Sequence, residues 1–139
     1  MSCELRAVYL KLLWNGGYKI FDMRNFKELK IWQKGFRIAV DSIKLVSGFP
    51  KEEKYGISSQ ITKAAVSIPS NIAEGSSRSS EKDYSRFIEI SLGSTFELET
   101  QLLIAEAVNY GDFSIRTQVL KDIDEEQKIF IAFMNRLGK

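Results

Sequence analysis

The sequence predicts an all-α protein, an antiparallel up-down-up-down four-helix bundle with its second helix kinked at Pro69. Three observations carry this reading. Beyond Met23 the apolar residues recur every three or four positions, the period of a helix face, and not every two. Only two prolines, Pro50 and Pro69, occur in 139 residues. Glycine- and serine-rich turns divide the chain into four amphipathic segments joined by short loops, so neighbouring segments must run antiparallel.

The first helix follows Asn25-Phe26-Lys27-Glu28, a capping-box pattern in which Asn accepts from a backbone N–H and Glu reaches back. Leu29, Trp32, Phe36, Ala39, Ile43 and Val46 then make one stripe spaced 3,4,3,4,3, the expected core face. Gly48-Phe49-Pro50 ends it. The second helix is expected from Lys51–Glu53, turning Ile57, Ile61, Ala65, Ile68 and Ile72 inward. Pro69 removes a backbone hydrogen bond and crowds the preceding turn, which predicts a kink or break over 67–70.

Gly75 to Ser80 forms the next turn, and Ser80 with Asp83 three residues on restarts the helix. The third helix, from about Glu81 to Asn109, should span roughly 40–45 Å. Its inward line runs through Tyr84, Ile88, Ser91, Thr95, Leu98, Leu102, Ala105 and Asn109. Gly111 closes it, and a fourth helix from about Ser114 carries Ile115, Val119, Ile123, Phe130, Phe133 and Leu137.

Two helices carry a second apolar line. Ile31, Ile38 and Leu45 recur every seven residues beside the main stripe of the first, and Leu92, Phe96 and Leu103 run down the third. These surplus lines point to subunit contacts, the competing reading being a wide core face.

Residues 1–22 stand apart from the bundle domain of residues 23–139. Their apolar run, Ala7 to Trp14, is split by Lys11, preceded by Glu4 and followed by no small-residue cleavage site, so it does not read as a signal peptide. Gly16-Gly17 separates this stretch from Met23, which stands as an alternative start, and the segment is read as an extension that need not be native. No segment reaches the roughly 20 apolar residues of a membrane span, and a cytoplasmic protein without membrane contact is expected.

At 44% hydrophobic and 27% charged residues, the composition is that of a folded globular protein. There is no histidine and only one cysteine, Cys3, which excludes a Ser-His-Asp triad, a Cys-His pair and histidine-ligated metal. The Glu-x-x-His pairs of metal-binding bundles are therefore absent. Glu97 and Glu99 point about 200° apart on a helix, and Glu125-Glu126 reads as acidic surface. Ser76 to Ser80 lacks the glycine spacing of a phosphate loop and reads as a capped turn. No enzymatic activity, metal or cofactor is expected.

The net charge of +2 conceals an asymmetry. Met23–Lys63 carries a net +5, and Glu81–Glu126 a net −7. Such a division suits a nucleic-acid face on one half, or halves that pair within or between subunits.

Four blocks then resemble one family. They are Phe26-Lys27-Glu28-Leu29-Lys30-Ile31-Trp32-Gln33-Lys34, Phe49-Pro50-Lys51-Glu52-Glu53-Lys54-Tyr55-Gly56, Ser67-Ile68-Pro69-Ser70-Asn71-Ile72-Ala73-Glu74-Gly75, and Leu92-Gly93-Ser94 with Glu97-Leu98-Glu99-Thr100-Gln101-Leu102. In this order they look like the signature blocks of the 23S rRNA intervening-sequence protein family, which is similar in fold to the accessory protein of diversity-generating retroelements. The resemblance implies a helical bundle assembling as a ring-like homopentamer with no enzymatic activity, and the accessory protein similar to it in fold engages nucleic acid and a reverse transcriptase through a basic surface. Within the blocks, Pro69, Asn71, Glu74, Gly75, Gly93 and Glu97 are read as structural. Asn71 and Glu74 would satisfy backbone groups freed by the proline, Gly75 would cap the helix, and Gly93 would admit a close helix.

The resulting expectation is a non-enzymatic homo-oligomer whose first two helices contact RNA or DNA. The phosphate-contacting candidates are Lys27, Lys30, Lys34, Arg37, Lys51, Lys54, Lys63 and Arg78, with Trp32 and Tyr55 available for base stacking. The alternative is an adaptor that docks a protein partner without binding nucleic acid.

Overall fold

A computed structural model describes residues 25–137. The proposed extension, residues 1–22, lies outside the described residues. Four helices make up the described bundle: α1 (Lys30–Val46), α2 (Ile57–Ser76), α3 (Glu81–Ala107) and α4 (Phe113–Leu137). Each packs against two neighbours, with α4 closing back on α1, and the diagonal pairs α1–α3 and α2–α4 stay apart. Contacts between neighbours run in opposite senses. Ser67 of α2 meets Ser94 of α3, whereas Gly75, later in α2, lies against Tyr84, earlier in α3. Lys34 of α1 reaches Glu125 of α4, whereas Leu45 lies against Gly111, ahead of α4.

The helix ends differ from the sequence expectation in instructive ways. Asn25 opens a 3-10 turn, Phe26–Glu28, and α1 begins only at Lys30, so the capping-box pattern does not start the helix itself. Lys51–Glu53 forms a second 3-10 turn, and α2 begins after Gly56. Ser80 caps α3 as read, its Oγ accepting from the Asp83 N–H at 3.1 Å. The left-handed residue that ends α3 is Asn109, at φ 58°, with Gly111 at φ 83° following in the loop. The Tyr110 N–H donates to Ala105 O at 2.8 Å and the Asn109 N–H to Glu106 O at 3.0 Å, the paired bonds of a Schellman motif. Asn109 is thus a cap and not the last member of the core line. Asp112 opens α4 by accepting from the Ile115 N–H at 3.0 Å.

Pro69 lies inside α2, and the helix runs unbroken from Ile57 to Ser76. The break allowed for over 67–70 does not occur. Carbonyls in the turn and a half ahead of the proline take side-chain donors: Ser67 Oγ to Ala64 O at 2.8 Å, Asn71 Nδ2 to Ser67 O at 2.8 Å, and Ser91 Oγ of α3 to Ile68 O at 2.9 Å. The proline itself is buried. Glu74 takes no part in this set and pairs with Arg78 at 3.0 Å.

The core corrects the reading of α1. Ile31, Ile38 and Leu45, assigned to the outer line, are 2%, 0% and 1% exposed and form the inner face. Phe36 and Ile43 of the expected core stripe are 51% and 47% exposed, and Trp32 is half-buried. Ala39 alone of that stripe is fully inside, with Leu29 and Val46 packed at the margin. On α3 the inner line from Tyr84 to Ala105 is buried as expected, and Phe96 and Leu103 stand outside it.

Candidate nucleic-acid interface and a buried acidic core

At the α1–α2 end the chain turns through Gly48-Phe49-Pro50 and the Lys51–Glu53 turn before α2 begins. This turn hangs Lys51, Lys54 and Tyr55 beside the first two turns of α2. A hollow of about 650 Å³ lies here, lined by these three residues, by Ser58, Ser59, Thr62 and Lys63 of α2, and by Ile43, Val46 and Phe49 below. Among the described residues no acidic side chain lines it. Tyr55 is 88% exposed, with Lys54 Nζ 5.4 Å from its ring centre. Glu53 of the same turn faces another way and accepts from Tyr110 Oη at 3.3 Å.

The eight basic candidates therefore separate. Lys51, Lys54 and Lys63 share the hollow. Lys27, Lys30 and Arg37 are exposed along the turn before α1 and on α1 itself, away from that lining. Arg78 lies at the far end of α2, bound to Glu74 and stacked 4.7 Å from the Phe87 ring centre. Lys34 is half-buried and held in ion pairs, not free on the surface. Its Nζ lies 2.5 Å from Glu125 Oε2 and 3.6 Å from Asp122 Oδ1, tying α1 to α4. Burial works against its charge, but the Glu125 hydrogen bond and the field of Asp122 outweigh it and hold its pKa above the usual 10.5. Trp32 is also taken: its ring packs edge-on against Phe26 at 5.3 Å and stacks on Phe36 at 5.2 Å.

Of the residues read as structural, Gly75 sits where a Cβ would come within 2.7 Å of Phe87 Cβ, so its role is close approach of α2 to α3. Gly93 does the opposite: it is exposed, and a Cβ there would meet nothing within 4 Å. Glu97 is exposed on α3, with Oε1 accepting from Gln101 Nε2 at 3.3 Å.

Sequence reasoning missed the acidic core of α4. Asp122 is 2% and Glu126 0% exposed, and both carboxylate oxygens of Glu126 lack a hydrogen-bond partner. Burial pushes the Glu126 pKa up to about 8, the Lys34 charge opposing this and Asp122 adding to it. A signal exists in the sequence: Glu126 fills the gap between Ile123 and Phe130 in the inward line of α4. Among the described residues no third carboxylate, cysteine or histidine joins these two to complete a metal site.

A family model described as "23S rRNA-intervening sequence protein" matches residues 27–132. The chain belongs to the 23S rRNA-intervening sequence protein family. A search of curated proteins finds no match. Among solved structures, the chain is similar to a crystal structure from Bacteroides thetaiotaomicron of a protein of unknown function from the S23 ribosomal protein family. The TM-score is 0.67 at 22% identity, over 75% of this chain and 97% of that one. At that identity the likeness shows the fold, the same helical architecture recurring in the two chains. No described helix is long and apolar enough to cross a membrane.

Proposed function

We propose that this intervening-sequence-family protein is a non-enzymatic, cytoplasmic homo-oligomer, pentameric as the family resemblance implies, that binds RNA or DNA phosphates through the α1–α2 end. One observation carries the reading. Lys51, Lys54 and Lys63 converge with an exposed tyrosine and the hydroxyl side chains of Ser47, Ser58, Ser59 and Thr62 on a hollow lined, among the described residues, by no acid. Cations and hydroxyls of this kind position a phosphate backbone, and an exposed aromatic ring gives a base a stacking partner.

Titrating labelled single-stranded RNA and duplex DNA at several salt concentrations tests this. Affinity should fall steeply with salt, and Lys51→Ala, Lys54→Ala and Lys63→Ala together should flatten that dependence by roughly 0.7–0.9 for each phosphate no longer neutralised. No affinity at about 50 mM salt overturns it.

The adaptor reading has its own support in the exposed apolar residues of α3, among them Phe96, Leu103 and Ile104, with Val108 just beyond its end. It expects partner capture to survive reversal of the three lysines and to fail when those apolar residues are made polar.

A further inference from the structure

The turn between α1 and α2 carries both signs of charge in four consecutive residues, Lys51-Glu52-Glu53-Lys54, yet only its lysines line the hollow. The 3-10 geometry begins the sorting. Side chains three apart eclipse one another on such a turn, and the Lys54 N–H donates to Lys51 O at 3.2 Å, so the two lysines share a side. Glu52 and Glu53 are left to the other sides.

The rotation of the turn about its own axis is set by a contact from far along the chain. Tyr110, half-buried in the loop between α3 and α4, donates from Oη to Glu53 Oε1 at 3.3 Å. A Cβ on Gly56 would lie 2.8 Å from Glu53 Oε2, so this glycine leaves room for the second carboxylate oxygen. Tyr110 is itself fixed from three directions. Its ring centre packs 5.5 Å from that of Phe49, Arg116 Nη1 donates to its carbonyl at 2.6 Å, and its N–H closes the end of α3 on Ala105 O at 2.8 Å. Burial first, and then the charges of Glu53 and Glu52, hold its pKa above the usual 10.0, so the hydroxyl keeps the proton it donates.

We infer that Tyr110 is a positioning residue for the lysine hollow: by clamping Glu53 away from it, Tyr110 turns Lys51 and Lys54 toward phosphate. This rests on the nucleic-acid reading above and adds to it a residue outside the hollow, acting through Glu53 and the turn. Without the clamp the turn loses its fixed rotation, and a carboxylate brought toward phosphate repels it.

Tyr110→Phe tests this, because it keeps the ring on Phe49 and removes only the donor. Glu53→Ala removes the acceptor and serves as the second variant if the first folds poorly by circular dichroism. The readout is the salt dependence of binding to labelled single-stranded RNA and duplex DNA by the full-length protein. Each variant should flatten it by roughly 1.4 on single strands and roughly 1.8 on duplex, the share of two phosphates, and combining the two should add nothing. The Tyr110→Phe effect should vanish in a Lys51→Ala/Lys54→Ala chain and add in full to that of Lys63→Ala, since Lys63 stands on α2 and not on the turn. A residue that merely supports the fold would weaken binding equally in both backgrounds. Wild-type salt dependence in Tyr110→Phe, or an undiminished effect in the Lys51→Ala/Lys54→Ala chain, overturns the positioning role alone. A wild type that binds neither nucleic acid at about 50 mM salt overturns the nucleic-acid reading, and the positioning role with it.

Discussion

Gly35 of α1 and Glu126 of α4 face each other across the bundle interior: a Cβ on Gly35 would stand 3.3 Å from Glu126 Oε2 and 3.1 Å from Ile68 Cγ2. The carboxyl group thus occupies space that the missing side chain leaves open, among isoleucines and with no hydrogen-bond partner for either oxygen. An ionised carboxylate in such a place loses its hydration without replacement, so the protonated form is favoured in the fold.

Stability should therefore depend on pH through Glu126. Its pKa rises from the ordinary 4.5 to about 8 on folding, so the folded state holds a proton that the unfolded chain releases. The corresponding stability is fully present below pH 4.5 and is lost as pH rises toward and through 8. Urea denaturation between about pH 5 and 9 should show wild type weakening by an amount on the order of a few kcal/mol. Glu126→Gln should remove most of that slope and be the more stable chain at the alkaline end. Parallel curves for the two proteins would refute this.

Lys34 gives a separate test of a cation read as surface and found inside. Lys34→Met leaves Asp122 buried beside α1 without its partner, and should lower stability by about 1–3 kcal/mol. Adding Asp122→Asn should recover part of the loss. Nucleic-acid affinity should be unchanged in both, in contrast to the variants at Lys51, Lys54 and Lys63.

The two glycines of the family blocks should behave oppositely. Gly75→Ala forces a methyl against the fixed Phe87 Cβ and the Tyr84 ring, and should cost about 1–3 kcal/mol. Gly93→Ala meets open space and gains helix propensity, stabilising by about 0.5–1 kcal/mol. Chemical denaturation of each variant beside wild type, followed by circular dichroism, separates the two.

Arg116, 3% exposed, donates from Nη1 to Tyr110 O at 2.6 Å and to Gly111 O at 3.4 Å, holding the α3–α4 loop against the start of α4. Arg116→Met keeps the aliphatic stem but strands both carbonyls. A loss of about 1.5–3 kcal/mol is expected, with faster amide exchange around Asn109 to Asp112 than elsewhere.

Periodicity, turn residues and composition determined the four helices among the described residues, the Ser80 cap and the inner line of α3, because each is written in residues a few positions apart. The four signature blocks determined the family by the same local reading. What only the tertiary structure decided was which side of α1 is inside. Its two apolar lines lie side by side, and periodicity locates both without ranking them. The line with Ile31, Ile38 and Leu45 is flanked by Gly35 and Ser42, small enough for neighbouring helices to close on it, whereas Trp32 and Phe36 are too bulky for that approach and remain outside. The roles of Lys34, Asp122 and Glu126 were hidden for the same reason. A charge in sequence reads as solvated surface, and only the packing of α4 against α1 shows that these three lie between helices.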